Sequence, residues 1–469
     1  YGLSSVFYYI FAAVFFLVPV SLVAAELTTG WPQKGGVYRW VGEAFGKKWG
    51  FLAIWLQWIE STIWFPTVLT FAAVSLAFMG PGQRWDEALA ANKWYVLIVV
   101  LCVYWAATLL NLRGMKTSAG VTKWGTIIGT IVPGAILILL GLGYWAGGNP
   151  ILLDMSWDKL VPDMSNFNNL VLAASIFLFY AGMEMSAVHV KDVDNPGRNY
   201  PLAILISAII TVLIFVLGTL AIGFIIPNSQ INLVQSLLIT YDSYFSFFGL
   251  GWMNWILALA LAVGVLAQVT AWVGGPSKGL YQVGLAGNLP PVMQKRNKNN
   301  VQMGILLIQG GIVTLLSIMF VIMPSVQSAY QIISQLTIIL YLIMYMLMFA
   351  SGIYLRYREP NTPRTFRIPG GRTFGMWVVG GLGLLASLAA FLVSFIPPNQ
   401  ITVGSSTMYV LLLVVGTFIF AGIPFIIHAM AKPSWKRPVD PEDAFEPFGW
   451  EKSNGSHSAA TPSHSISHE

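Results

Sequence analysis

About eleven stretches of this chain, near residues 3–27, 50–79, 94–112, 124–147, 168–190, 201–227, 251–275, 301–323, 330–355, 374–397 and 407–430, run for the length of a bilayer crossing with few or no charges. A span needs about 20 mostly apolar residues, because each helical residue rises 1.5 Å against roughly 30 Å of hydrocarbon. Lipid offers no hydrogen-bond partner, so a spanning backbone must be helical or closed into a barrel. Barrel strands alternate inward and outward over about ten residues, whereas Ile204 to Ile226 is apolar without alternation. The chain therefore reads as an all-α polytopic membrane protein. Apolar residues at 56% against charged residues at 9% leave no sizeable soluble domain. Residues 1–430 form the membrane domain, and 431–469 turn polar, with Pro, Ser and acidic residues that predict a cytoplasmic, mostly disordered tail.

The formal charge of +6 is a matter of topology. Lys and Arg number 22 in one alternating set of loops and only 3 (Arg84, Lys93 and Lys159) in the other. The positive-inside rule makes the first set cytoplasmic, and no nucleic-acid partner is needed to explain the basic pI. The carboxy terminus is then cytoplasmic and Tyr1 lies outside. With an odd span number, this predicts one further cytoplasm-to-outside helix before Tyr1. A single cysteine, Cys102, excludes an intramolecular disulfide.

Ionisable groups at membrane depth cost roughly 2.5 to 3.5 kcal/mol on insertion scales and mark functional positions. Glu184 is foremost among them, because Gly182 beside it frees backbone that lipid would forbid unless it lines protein or a watery cavity. Such a broken helix offers N–H groups to a carboxylate and C=O groups to an ammonium, which suits a zwitterion. A continuous helix with Glu184 bonded to a neighbouring span is the structural alternative. Glu60 lies ten residues past Gly50, about 15 Å deep, flanked by Trp55, Trp58 and Trp64. It is a proton-coupling candidate alongside Glu184, or a packed neutral acid. Glu26 sits near the cytoplasmic end of the first span, where contact with Lys34 or water predicts a structural role.

Helical spacing aligns Gly264, Gln268, Trp272 and Gly275 on one face of the seventh span, and Ser334, Thr337, Tyr341 and Tyr345 on one face of the ninth. Aromatic stripes also occur as plain packing. Between glycines, Val37 to Phe45 predicts a short interfacial helix, and Leu233 to Phe248 another over an outer vestibule. His457, His464 and His468 in the tail are pH-sensing candidates, against a solvated tail without docking. No HExxH motif occurs, and neither enzyme activity nor a cofactor or metal is expected.

Tyr180-Ala181-Gly182-Met183-Glu184 followed by Asn195-Pro196-Gly197-Arg198-Asn199-Tyr200-Pro201 resembles the sixth helix and following loop of amino acid–polyamine–organocation transporters. Val273-Gly274-Gly275-Pro276-Ser277-Lys278-Gly279-Leu280-Tyr281 and Thr365-Phe366-Arg367-Ile368-Pro369-Gly370-Gly371 resemble further landmarks of that superfamily, most closely its bacterial glutamate/GABA antiporters. The resemblance implies the leucine-transporter fold, a 5+5 inverted repeat plus two helices, with the eleven spans as family helices two to twelve. By position it implies Gly182, Glu184, Trp272, Tyr341 and Tyr345 at the substrate site, and a tail that plugs the pathway. Gln268 stands where those antiporters carry a glutamate, and the first family helix is missing.

The expected function is antiport of a glutamate-like amino acid for its GABA-like decarboxylation product across a bacterial inner membrane, in acid resistance. Glu184 senses protons or contacts substrate, Trp272 and Tyr341 form walls, and Gln268 orients the ligand. The expected partners are the amino acid, the bilayer and, functionally, a cytoplasmic decarboxylase. A proton-coupled symporter is the alternative, and a membrane sensor a remote one.

Overall fold

The computed structural model describes residues 3–80, 83–162, 176–177, 179–185, 187, 193–397, 405–437 and 444–452. Among these, ten helices are long and apolar enough to span a membrane: α1 (Ser4–Gly30), α3 (Lys47–Ala77), α5 (Lys93–Leu112), α6 (Lys116–Ala146), α7 (Pro196–Ile225), α9 (Asn254–Leu285), α10 (Met303–Ile322), α11 (Val326–Arg358), α12 (Phe374–Val393) and α13 (Ser406–Ala429). Much of the expected span at 168–190 lies outside the described residues. Three shorter helices complete the set named here: α2 (Val37–Phe45), α4 (Gln83–Ala90) and α8 (Ser236–Phe247).

The helices divide into a core and a lipid-facing ring. In α3 and α11, 78% of the apolar window is buried, against 17% in α7 and 11% in α13. α9 and α11 both pack along α3, so these three helices form the centre of the bundle. The ring presents Leu139, Leu213, Leu385 and Phe418 outward, as lipid requires.

Two local irregularities have a sequence cause. π-helical turns at Ala13–Leu17 and Ile127–Ile131 each end two residues before a proline, Pro19 and Pro133. Proline supplies no N–H and crowds the preceding turn, and a widened turn absorbs both effects. The second lies where α6 meets α9 through small residues. A Cβ on Gly129 would sit 2.2 Å from the Gly264 nitrogen, and one on Gly125 would sit 2.4 Å from the Ala267 Cβ. Backbones touch directly there, in the small-xxx-small manner of membrane helices.

α2 departs from the expected interfacial helix. Val37 to Ala44 are all buried, since α2 is covered by α3, α11 and a returning piece of the tail. Glu26 likewise has a different partner from the one expected. It receives Arg356 through Nε (2.5 Å) and Nη2 (2.6 Å) and the Ile368 N–H at 2.8 Å. Arg356 lies in the last turn of α11, close enough in space to reach the first span.

Candidate substrate site

α1, α3, α6, α7, α9 and α11 enclose a cavity of about 610 Å³ on the side of the molecule roofed by α8. Ser236, Leu237 and Tyr241 of α8 line it, in keeping with the expected helix over a vestibule. Gln268 is exposed in mid-span because it faces this cavity, together with Trp64, Ser334 and Gln335. One turn deeper, Trp272 packs on Trp64, with ring centroids 5.6 Å apart, and meets Tyr341 edge-on at 6.5 Å. These rings make an aromatic floor.

Glu184 lies in the cluster next to that floor. The helix carrying Phe177 and Tyr180 stops at Ala181, and Gly182 adopts φ +108° before a short turn in which Met185 N–H reaches the Gly182 carbonyl at 3.1 Å. The break is therefore real. Gly182 is needed twice over: its φ disfavours L side chains, and a Cβ would come within 2.7 Å of the Trp272 ring. The freed Gly182 N–H donates to the Tyr345 hydroxyl at 2.7 Å.

The carboxylate itself is 1% exposed and takes three donors. Tyr341 Oη–H reaches Oε1 at 2.6 Å, Tyr345 Oη–H reaches Oε2 at 2.6 Å, and Gln57 Nε2 reaches Oε1 at 2.9 Å. Tyr341 and Tyr345 stack on each other at 4.6 Å, one turn apart on α11. The structure thus brings Gly182, Glu184, Trp272, Tyr341 and Tyr345 into one cluster, with Gln268 on the cavity side of the floor. Gly264 faces Gly129, and Gly275 faces the Met185 sulfur, where a Cβ would approach to 2.6 Å. Thr337 turns back to the Ile333 carbonyl.

Gln57 was not among the expected site residues. Its signal was available, since it sits one turn before Glu60 on α3 and an amide at that depth also needs partners. Glu60 is 2% exposed, and its Oε1 has no hydrogen-bond partner among the described residues. Of the flanking tryptophans, Trp64 joins the floor, while Trp55 donates to the Phe420 carbonyl of α13 at 2.9 Å.

On the opposite side from α8, the tail closes over α2. Phe448 is 0% exposed and rests where Gly42 leaves room; a Cβ there would lie 2.4 Å from the ring. Gly449 N–H donates to Glu43 at 2.9 Å, and Trp450 Nε1 donates to the Gly42 carbonyl at 3.1 Å. Arg39 stacks over Phe445 and Phe448 and donates to the carbonyls of Glu446 and Pro447. Burial pushes the Glu43 carboxyl above the usual carboxylate range, against the opposing pull of Gly449 and Arg39. Residues 444–452 thus depart from the expected disorder, because Phe445, Phe448 and Trp450 give an acidic stretch enough apolar surface to bury. His457, His464 and His468 lie outside the described residues.

Comparison with known proteins agrees with this architecture. Residues 1–420 match the family model described as amino acid permease. An uncharacterised transporter of Legionella pneumophila is 40% identical over 91% of this chain and 90% of its own length. A glutamate/gamma-aminobutyrate antiporter of Lactococcus lactis is 32% identical over 91% of this chain and 85% of its own. A probable agmatine/putrescine antiporter of the same species is 25% identical over 79% and 77%. With ten membrane-length helices among the described residues and a buried, helix-break carboxylate at their centre, the chain is a multi-pass transporter, not an enzyme, and belongs to the amino acid permease family.

Proposed function

We propose that the protein is an amino-acid antiporter that exchanges an external glutamate-like amino acid for its GABA-like decarboxylation product by alternating access. The observation that carries this reading is Glu184, an acceptor group at a broken helix behind the aromatic floor of the 610 Å³ cavity, held by two tyrosines and an amide. A carboxylate with no cation among its described partners is suited to the ammonium that both exchange partners share. The relative named as a glutamate/gamma-aminobutyrate antiporter favours this pair of substrates.

In the membrane the loops rich in Lys and Arg face the cytoplasm, which places the tail inside and the α8-roofed cavity outside. The conformation is then outward-facing, with the floor of Trp64, Trp272 and Tyr341 as the barrier to be crossed. Gln268 meets the ligand from the cavity side and orients it through its amide. Coupled to a cytoplasmic decarboxylase, which consumes a proton as it releases carbon dioxide, each exchange removes one proton from a bacterial cell. Such a cycle serves acid resistance.

Vesicles containing the full-length protein and loaded with glutamate should take up labelled GABA. Absence of counterflow at both acidic and neutral pH would sink the exchange reading. Glu184→Gln should cut the rate at least tenfold; an unchanged rate and pH profile would remove Glu184 from the site.

A further inference from the structure

Two carboxyl groups, Glu60 and Glu184, are buried in the centre of the bundle, and the hydrogen bonds around them distinguish their protonation states. The Gly182 N–H donates to the Tyr345 oxygen, so the hydroxyl proton of Tyr345 is turned toward Glu184 Oε2. Gln57 Nε2 has only protons to offer to Oε1. Tyr341 Oη lies 2.6 Å from Oε1 and also bonds the Tyr345 hydroxyl. Both oxygens of Glu184 accept, and a proton on either would face a donor. This set of donors favours the anion at Glu184.

Glu60 has the opposite surroundings. It sits one turn beyond Gln57 on α3, 2% exposed, and its Oε1 has no partner among the described residues. Gln57, three residues earlier on the same face of α3, bonds Glu184 at 2.9 Å, which brings a like charge to the neighbourhood of Glu60. The groups facing the pair from the packed helices are Tyr341 and Tyr345 of α11 and Gln57 of α3, all uncharged donors, and no ion pair reaches either carboxyl among the described residues. An isolated buried carboxylate carries a desolvation cost far above that of its neutral acid. Two neighbouring ones in low dielectric do not both ionise, and share a proton instead.

We propose that Glu60 is a proton-binding site paired with Glu184, the two carboxyls holding one proton between them, carried by Glu60 while Glu184 is the anion. The proton comes from water and returns to it, with no other bond made or broken. Keeping Glu60 neutral lets the site present a single negative charge to an incoming ammonium. This assignment does not depend on which amino acids are exchanged.

Infrared difference spectroscopy of the full-length protein in lipid bilayers at neutral pH tests it without any substrate. Subtracting the spectrum of Glu60→Gln from that of the wild type should leave the carbonyl band of one protonated carboxyl, shifted in heavy water. A difference that instead shows loss of an ionised carboxylate, or no carboxyl band at all, overturns the proposal. Should Glu60→Gln not fold, Glu60→Asp should move the same band to a new frequency, and an unmoved band overturns it equally. Failed counterflow would refute the exchange reading and leave this result standing.

Discussion

At the scale of single residues, Tyr341 and Tyr345 look equivalent, since each donates to Glu184 at 2.6 Å, but their losses should differ. Tyr345→Phe removes that donor and also strands the Gly182 N–H, and an unsatisfied buried donor costs about 1 to 3 kcal/mol. Thermal melting of purified Tyr345→Phe should therefore fall further than that of Tyr341→Phe; equal melting temperatures would mean the Gly182 contact contributes nothing. Gly182→Ala should be worse for transport than either. The φ of +108° costs an L residue about 1 to 3 kcal/mol, and the methyl meets Trp272, so exchange should drop at least tenfold in vesicles that still contain the protein. Glu184, Trp272 and both tyrosines were legible from the sequence because burial cost and helical spacing each pointed inward. Gln57 was passed over, because a buried amide, although it too needs partners, costs far less than a carboxylate and so stands out less in an apolar run, and the fate of Glu26 depended on a partner 330 residues away.

Among the elements, α2 and the tail show where amphipathic spacing gives a helix but not its cover. Gly35 to Gly46 predicted the element well, and its cover came from α3 and α11 and was completed by Phe445, Phe448 and Trp450, whose aromatic content the acidic composition of the tail masked. Phe448→Ala, or Gly42→Leu, which fills the Phe448 seat, should release this segment and expose it to protease in the intact protein. Unchanged cleavage would show that docking does not rest on Phe448. The docked contact also carries a pH sign. Glu43, faced by Arg39 on its own helix, by Glu359 after α11 and by the tail N–H of Gly449, has its carboxyl raised chiefly by burial. A raised acid binds its proton more tightly in the folded protein than in the unfolded chain, so its contribution to stability is full below the ordinary Glu value of about 4.3 and is lost as pH rises through the raised one. The melting temperature should therefore gain from Glu43 toward acidic pH, and the profile should differ in Glu43→Gln. A wild-type profile in that variant would mean Glu43 contributes nothing to it.

For the whole molecule, Glu26 and Arg356 join the first span to α11 and to the segment around Ile368. The pair is 1% exposed on both sides, and Arg356 also donates to the carbonyls of Ile368, Gly371 and Arg372. Breaking a buried pair costs about 3 to 5 kcal/mol, so Glu26→Ala should lower the melting temperature markedly. Exchanging the two charges should not restore it, because a carboxylate at 356 would face three carbonyls. Full recovery in the swapped variant would mean charge alone holds this corner. The contact of Gly129 with Gly264 has a different consequence. Where two backbones touch, a point substitution can only push the helices apart. That seam of the cavity is closed to gradual change, and a new substrate preference would have to arise elsewhere in the lining, at Gln268, Ser334 or Trp64, where side chains and not main chains face the cavity. The protein can thus drift in what it carries through these side chains while the seam between the two glycines stays fixed.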